Sequence, residues 1–247
     1  MLWPNKKKFA FTIFDDTDNS VLINTKEVYS FLYDIGLLTT KSVWVLDGLT
    51  SGYFKGSTCN DKDYLNWLLD IKSKGFEIGY HMAKYESSKR QETKEALEIF
   101  KKLFNHYPKS MANHSQCIEN IYWGNNRLTG FNKVFYDFLT LRKYNNKFKG
   151  HDENSDYFWG DFCREKIKYV RNFVFNDINT LKMCPYMPYY DKKRPYVRNW
   201  FASSNGIDIQ KFNVLLSESN QDSLIESGGA CIVYTHFAEG FIENGKI

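Results

Sequence analysis

Three carboxylates fall within four positions at the end of an apolar, β-prone run near the N-terminus. The run reads FAFTIFDDTDNS and places Asp15, Asp16 and Asp18 where a buried strand should end. Carboxylates this close repel one another unless a neighbouring group compensates their charge. A bound cation, a basic partner or exposure to solvent could each do so.

Polar residues also follow other apolar runs of the chain. The run FEIGYH ends in His81, KSMANH ends in Asn113 and His114, and IVYTHF delivers His236. Because the carboxyl ends of parallel strands meet on one face of an α/β barrel, we expect these side chains and the carboxylates to share a site. One carboxylate and neutral imidazoles can hold a divalent cation, which lowers the pKa of water and polarises a carbonyl oxygen. A second carboxylate can take the proton from that water, so the set predicts a hydrolytic metal site.

Strand-like and helix-like patterns alternate through the first half of the chain. The runs KFAFTIF, KSVWVL, FEIGYH and KSMANH are typical of strands, and helical patterns separate them. Two of these helices have a clear apolar face. NTKEVYSFLYDIGL is expected to bury Val28, Phe31, Leu32 and Ile35, and DKDYLNWLLDIKSKG is expected to bury Tyr64, Trp67, Leu68 and Ile71. The alternation predicts parallel strands with crossover helices, hence an α/β sheet or barrel.

The middle of the chain, residues 113–206, is less regular. It contains one predicted helix, FNKVFYDFLTLRKY, and one predicted strand, VRNFVFN, before the closing segment GGACIVYTHFAEGF restores a buried strand. Because the sequence has no linker, repeat or low-complexity tract, we expect one domain over residues 1–247.

Composition excludes several classes of protein. Of 247 residues, 43% are hydrophobic and 17% aromatic, which supplies a core and argues against disorder. The 33 Lys and Arg against 29 Asp and Glu give a net charge of +4. Since no basic-aromatic motif of an RNA-binding module accompanies this weak excess, we expect no nucleic-acid partner.

The cysteines and the N-terminal segment bear on the cellular compartment in which the protein is expected. Five widely spaced cysteines without a CxxC pair argue against a disulfide framework and favour a reducing environment. The N-terminal segment MLWPNKKKFAF leads almost directly into the first strand and leaves no room for an apolar signal. No apolar run approaches membrane-spanning length. We therefore expect a soluble cytoplasmic protein without a membrane span.

Three stretches resemble motifs of the NodB-type polysaccharide deacetylases (carbohydrate esterase family four). FTIFDD resembles the first motif, GFEIGYHMAKY the second, with its metal-binding His, and IVYTHF the last. The resemblance extends from Phe9 to Phe241 and implies a distorted (β/α) barrel with parallel strands.

The same resemblance implies roles for individual residues. Asp15 would be the general base, Asp16 and His81 metal ligands, and His236 the general acid. The family removes N- or O-acetyl groups from sugars with a divalent metal, often zinc. We therefore expect a carbohydrate deacetylase that acts on an N-acetylated sugar, nucleotide-sugar or glycan, in surface-polysaccharide biosynthesis.

The chain departs from the family at one ligand position. The second motif normally has another His four residues after the first, and here that position is Tyr85. Since a neutral phenol is a poor zinc ligand, we infer that His114 supplies the missing nitrogen. Tyr85 remains a candidate for substrate binding. So do polar and aromatic residues of the middle segment, although core or loop packing would explain them equally well: Trp123, Trp159, Asp161, Arg171 and Arg198.

Three other interpretations stay open. IFDDTDNS also resembles the first motif of haloacid-dehalogenase-like phosphatases, in which Asp16 would attack phosphorus and Asp18 would act as acid/base with magnesium. A glycoside hydrolase needs carboxyl groups about 5–9.5 Å apart, which excludes the adjacent Asp15 and Asp16 as its pair but not acids elsewhere, such as Asp161. Finally, a deacetylase-like barrel that has lost a ligand at Tyr85 could bind a carbohydrate without hydrolysing it.

Overall fold

The structure is a computed structural model that describes residues 3–49, 56–141, 143, 146–243 and 245–247. Within these residues, seven parallel strands form a closed barrel in chain order, and the first strand pairs with the last. This confirms the predicted α/β barrel with parallel strands. The strands are β1 (Ala10–Asp15), β2 (Thr40–Val43), β3 (Glu77–Tyr80), β4 (Ser110–Met111), β5 (Tyr169–Phe175), β6 (Asn199–Asn205) and β7 (Ala230–Thr235).

Helices connect the strands. None of those described is long and apolar enough to cross a membrane. They are α1 (Leu22–Asp34), α2 (Lys62–Ser73), α3 (Arg90–Phe104), α4 (Gly130–Leu139), α5 (Gly160–Lys166), α6 (Thr180–Met183), α7 (Ile209–Leu215) and α8 (Glu218–Ser227), with 3₁₀ turns at Pro4–Lys6 and Gly124–Arg127.

Helix α2 begins and packs as its sequence predicts. The side chain of Asp61 accepts hydrogen bonds from the backbone N–H groups of Asp63 and Tyr64, which satisfies two donors at the helix start. The predicted apolar face is buried in full: Tyr64, Trp67, Leu68 and Ile71.

Helix α1 is rotated relative to its predicted face. Val28 and Leu32 are buried as expected, but Phe31 and Ile35 are 48% and 56% exposed, so the prediction for these two residues was wrong. Tyr29 takes the inward position, because its phenol donates a hydrogen bond to the buried carboxylate of Asp15. A polar contact below the barrel mouth thus decides which side of the helix is buried.

The irregular middle of the chain contains a strand that the sequence pattern did not indicate. No strand was predicted over RPYVRNWFASS, yet this stretch contributes β6, which pairs with both β5 and β7. Two of its buried residues are serines, and Ser204 Oγ lies 2.7 Å from Thr180 Oγ1. This contact satisfies the buried hydroxyl of Ser204. Because serines interrupt the apolar run, the sequence pattern does not indicate a buried strand here.

Strand β5 has a register shift against β6 between Arg171 and Val174. Such irregularities redirect side chains near functional sites. Here Arg171, Phe173 and Val174 all line the same cavity, which strict alternation along a strand would not allow.

Candidate active site

A cavity of about 740 Å³ opens at the carboxyl ends of the strands. It contains most of the polar residues that were expected to share a site: Asp16, Asp18, His81, Asn113, His114 and His236. The strand ends therefore bring these groups together as parallel topology predicts.

Asp18 is the centre of this cluster. Its Oδ2 lies 3.0 Å from His81 Nε2 and 3.4 Å from His236 Nε2, and its Oδ1 lies 2.9 Å from His114 Nε2. Burial opposes ionisation of Asp18, but the three imidazoles outweigh it and hold the pKa of this carboxyl well below its usual value. The sequence interpretation did not include Asp18 among the metal ligands.

The donor set of this cluster fits a divalent cation. Ligand atoms from Asp18, His81 and His114 all lie within 4.8 Å of one another. Among the described residues, neither ring nitrogen of the buried His81 has a hydrogen-bond partner, although Nε2 is 3.0 Å from Asp18. A buried imidazole nitrogen without a hydrogen-bond partner fits a metal ligand, because a cation would satisfy it. Two imidazoles and one carboxylate are ligands typical of a catalytic zinc site.

The chain conformation after β3 fixes the direction of His81. Met82 is buried and has φ of 68°, which is uncommon for a residue with a side chain. Such a conformation costs about 1–3 kcal/mol and persists where packing enforces it, often at functional sites. His81 thus lies between the end of β3 at Tyr80 and this turn.

Asp16 forms a buried bidentate ion pair with Arg171 on β5. The guanidinium donates from Nη1 to Oδ1 at 2.9 Å and from Nη2 to Oδ2 at 2.5 Å. This geometry fixes the carboxylate rigidly at the edge of the cluster, where its Oδ2 is 3.8 Å from His81 Nε2.

Asp15 points away from the cavity. Its Oδ2 accepts from Tyr29 and lies 2.8 Å from Lys41 Nζ, and its Oδ1 accepts from the backbone N–H of Phe237 at 2.9 Å. Successive residues of a strand face opposite sides, so the neighbour of an inward Asp16 turns outward. The assignment of Asp15 as general base therefore needs correction, since its carboxylate does not reach the cavity.

His236 directly follows β7 and lies nearest to Oδ2 of Asp18, whereas His114 lies nearest to Oδ1. Its Nδ1 lies 3.0 Å from the carbonyl of Ile207, which can only accept, so this nitrogen carries a proton. Burial would lower the pKa of His236, but the hydrogen bond with Asp18 and the charge of Asp16 outweigh it and raise the pKa to about 9.

The predicted substrate-binding residues divide into two groups. Trp123 and Arg171 line the cavity. Trp159 does not: it is completely buried and donates from Nε1 to the carbonyl of Glu119. Asp161 pairs with Arg90 at 2.6 Å on the outer surface.

Two further candidates also lie apart from the cavity. Tyr85 does not line it and instead packs edge-on against Trp44, with its hydroxyl bonded to the carbonyl of Leu49. Arg198 is exposed and donates to the carbonyl of Glu165. These two residues, with Trp159 and Asp161, are corrected to packing and surface contacts. The ring centroid of His114, the proposed replacement for a ligand at position 85, is 5.3 Å from that of His81.

Sequence reasoning placed Asp18 near the site but not among the metal ligands, and it gave no indication that Arg127 lines the cavity. Asp18 could have been identified, because Asp16 and Asp18 are two positions apart and share a face in an extended chain. Arg127 could not, because it lies in a 3₁₀ turn whose sequence, GNNR, has no catalytic pattern.

Comparisons with known proteins support the fold. No protein-family model and no curated protein matches the chain. The structure of Puue allantoinase superposes with a TM-score of 0.53 at 10% identity, covering 96% of this chain and 80% of that one. A probable polysaccharide deacetylase from Pseudomonas aeruginosa PAO1 superposes with a TM-score of 0.50 at 11% identity, covering 96% and 81%. The chain therefore has the fold of these proteins, and the resemblance to polysaccharide deacetylases is confirmed at the level of the fold.

Proposed function

We propose that this chain is a metal-dependent hydrolase that removes the acetyl group from an N-acetylated sugar. The observation that carries the proposal is the convergence of three histidines on Asp18, beside the Asp16–Arg171 pair, at the mouth of the barrel. The shared fold with a probable polysaccharide deacetylase supports a carbohydrate as substrate.

Asp18, His81 and His114 are the residues proposed to hold the cation, with zinc as the metal that suits them best. This differs from the sequence-based assignment, in which Asp16 was the carboxylate ligand. When bound, the cation would lower the pKa of a water molecule and polarise the acetyl carbonyl.

Asp16 is then the proposed general base, in place of Asp15. Arg171 holds the Asp16 carboxylate in one orientation, so that it can accept the proton of the attacking water without rearranging. His236 faces the cavity with its Nε2 and is the proposed acid that protonates the departing nitrogen. The Nδ1–H···O contact to Ile207 fixes the ring for this transfer.

The cellular setting is also a proposal. Five free cysteines, four of them buried, support a reducing compartment such as the cytoplasm. An N-acetylated sugar modified there would serve surface-polysaccharide biosynthesis.

The test compares acetate release from N-acetylglucosamine and its oligomers by the wild type and by Asp16→Asn. The amide keeps the size of the side chain but cannot take a proton, so we expect a loss of at least about 100-fold in kcat, typical of a general base. Asp161→Asn is the matched control and should keep the wild-type rate. Saturable sugar binding by the wild type without acetate release would refute deacetylation and indicate a carbohydrate-binding protein.

A further inference from the structure

The cavity contains a second arginine that the proposed chemistry does not use. Arg127 lies in the 3₁₀ turn after β4 and lines the cavity. Its guanidinium carbon is 4.3 Å from the ring centroid of Trp123 and 5.5 Å from that of Phe173. Stacking on aromatic rings holds the planar group in place while its N–H edge stays available for a ligand.

Arg127 is the exception among the half-buried and buried arginines that the structure describes. Arg90, Arg171 and Arg194 each form an ion pair with an aspartate. In the part of the chain that the structure describes, Arg127 pairs with no carboxylate. Its guanidinium makes long contacts of 3.4 Å with the backbone carbonyls of Gly124 and Asn172, and it also bonds the phenol of Tyr136.

This environment is costly for a cation. Burial tends to lower the pKa of Arg127, and only the phenol of Tyr136 opposes the effect. A desolvated charge is stabilised when an opposite charge reaches it, and a guanidinium binds a carboxylate or phosphate through two parallel hydrogen bonds. Within the cavity, Arg127 therefore has the properties of a receptor for an anion.

The acidic groups of the cavity lie on other elements. Asp16 is neutralised by Arg171. Asp208 caps α7 by accepting from the N–H of Lys211, and Glu239 follows β7 and accepts from Asn19. Asp208 and Glu239 thus lie after β6 and β7, whereas Arg127 lies in the turn after β4, so a negative charge on a ligand would find its complement at Arg127.

We propose that Arg127 binds an anionic group of the substrate, a carboxylate or a phosphate ester, so that the cavity selects an acidic N-acetylated sugar over a neutral one. The proposal rests on the proposed function for the identity of the sugar, but the anion site itself can be measured by binding alone.

The test measures dissociation constants of three probes by calorimetry: N-acetylglucosamine, N-acetylglucosamine 6-phosphate and N-acetylmuramic acid. The wild type should bind at least one acidic sugar ten-fold or more tightly than the neutral sugar. Arg127→Met removes the charge but keeps an unbranched apolar side chain at this position, and it should abolish this difference while changing neutral-sugar binding less than two-fold. Arg127→Lys should retain part of the preference, and Arg198→Met, which removes an exposed arginine, should retain all of it.

The phosphate and carboxylate probes distinguish the two sources of the charge. Equal binding of all three probes by the wild type would overturn the proposal. So would a loss in Arg127→Met that is the same for neutral and acidic sugars. Acetate release, measured in parallel, separates the two hypotheses. A preference for acidic sugars without acetate release supports the anion site and refutes deacetylation. Equal acetate release from neutral and acidic sugars, unchanged in Arg127→Met, supports deacetylation and refutes the anion site.

Discussion

The Asp15–Lys41 ion pair lies beneath the cavity, and both side chains are completely excluded from solvent. Burial tends to lower the pKa of Lys41, but the adjacent Asp15 outweighs it and raises that pKa, so the lysine stays charged. Asp15 also accepts from the N–H of Phe237, the residue directly after His236. The first carboxylate of the acidic run is therefore a positioning residue, which anchors the segment that presents His236 to the cavity.

Glu119 is a second buried acid, located in the loop after β4 and fully excluded from solvent. Burial raises its pKa to about 8, against an ordinary value of 4.5, and two backbone N–H groups oppose the shift only in part. Between these two pH values the folded protein keeps a proton that the unfolded chain has lost. The stability due to this neutral carboxyl is thus fully present below pH 4.5 and is lost as the pH rises through about 8.

Replacing Glu119 with Gln should remove this pH dependence. In the window between the two pKa values, the free energy of unfolding of the wild type falls by about 1.4 kcal/mol per pH unit because of this group. Between pH 5 and pH 7.5, the free energy of unfolding of Glu119→Gln should therefore rise by about 3 kcal/mol relative to that of the wild type, as measured by urea denaturation. Glu226→Gln, at an exposed site on α8, is the control and should follow the wild type. If the free energies of unfolding of Glu119→Gln and the wild type change in parallel with pH, the pKa of Glu119 is not raised in the folded protein.

At the scale of elements, the loop after β4 has an internal clamp. The Asn113 side chain donates to the carbonyl of Ile121 at 3.1 Å and accepts from its N–H at 2.9 Å. Asn120 donates to the carbonyl of His114, so the loop is tied together on both sides of the histidine. A short strand of two residues, Ser110–Met111, could not orient His114 without this support.

Asn113→Ala should weaken both the loop and the metal site. Two buried backbone groups of Ile121 lose their partner, which should lower the free energy of unfolding by about 1–3 kcal/mol. Because outer contacts orient the ligands, we expect zinc affinity to fall about 10–100-fold in competition with a chelating dye. Asn199→Ala, which loses a bond to Lys168 far from the cavity, should leave affinity unchanged. Lower stability with wild-type affinity would show that the clamp does not position His114.

Elements with a strong apolar period could be predicted from the sequence, and those stabilised by polar contacts could not. The face of α2 follows from four apolar residues at helical spacing. By contrast, the orientation of α1 depends on the hydrogen bond of Tyr29 to Asp15, and β6 depends on buried serines. Neither contact leaves a periodic signal, because the partners are distant in the chain.

At the scale of the whole molecule, the closed barrel explains why residues as distant in the sequence as Asp16 and His236 line one cavity. The convergence of strand ends could be predicted from alternation alone, and so could the involvement of His81, His114 and His236. The roles of the three carboxylates could not be predicted, since a one-residue difference decides which side of a strand each occupies. The structure assigns Asp16 and Asp18, rather than Asp15 and Asp16, to the cavity.

The measurement that tests this account most directly is the metal content per chain, by elemental mass spectrometry, of the wild type and of single-residue variants. We predict about one divalent ion per chain in the wild type, lost in Asp18→Ala, His81→Ala and His114→Ala. The ion should be retained in Asp15→Asn and Tyr85→Phe, whose side chains lie outside the cavity. Absence of metal in the wild type after loading with zinc, cobalt or nickel, or its retention in Asp18→Ala, would contradict the proposed site.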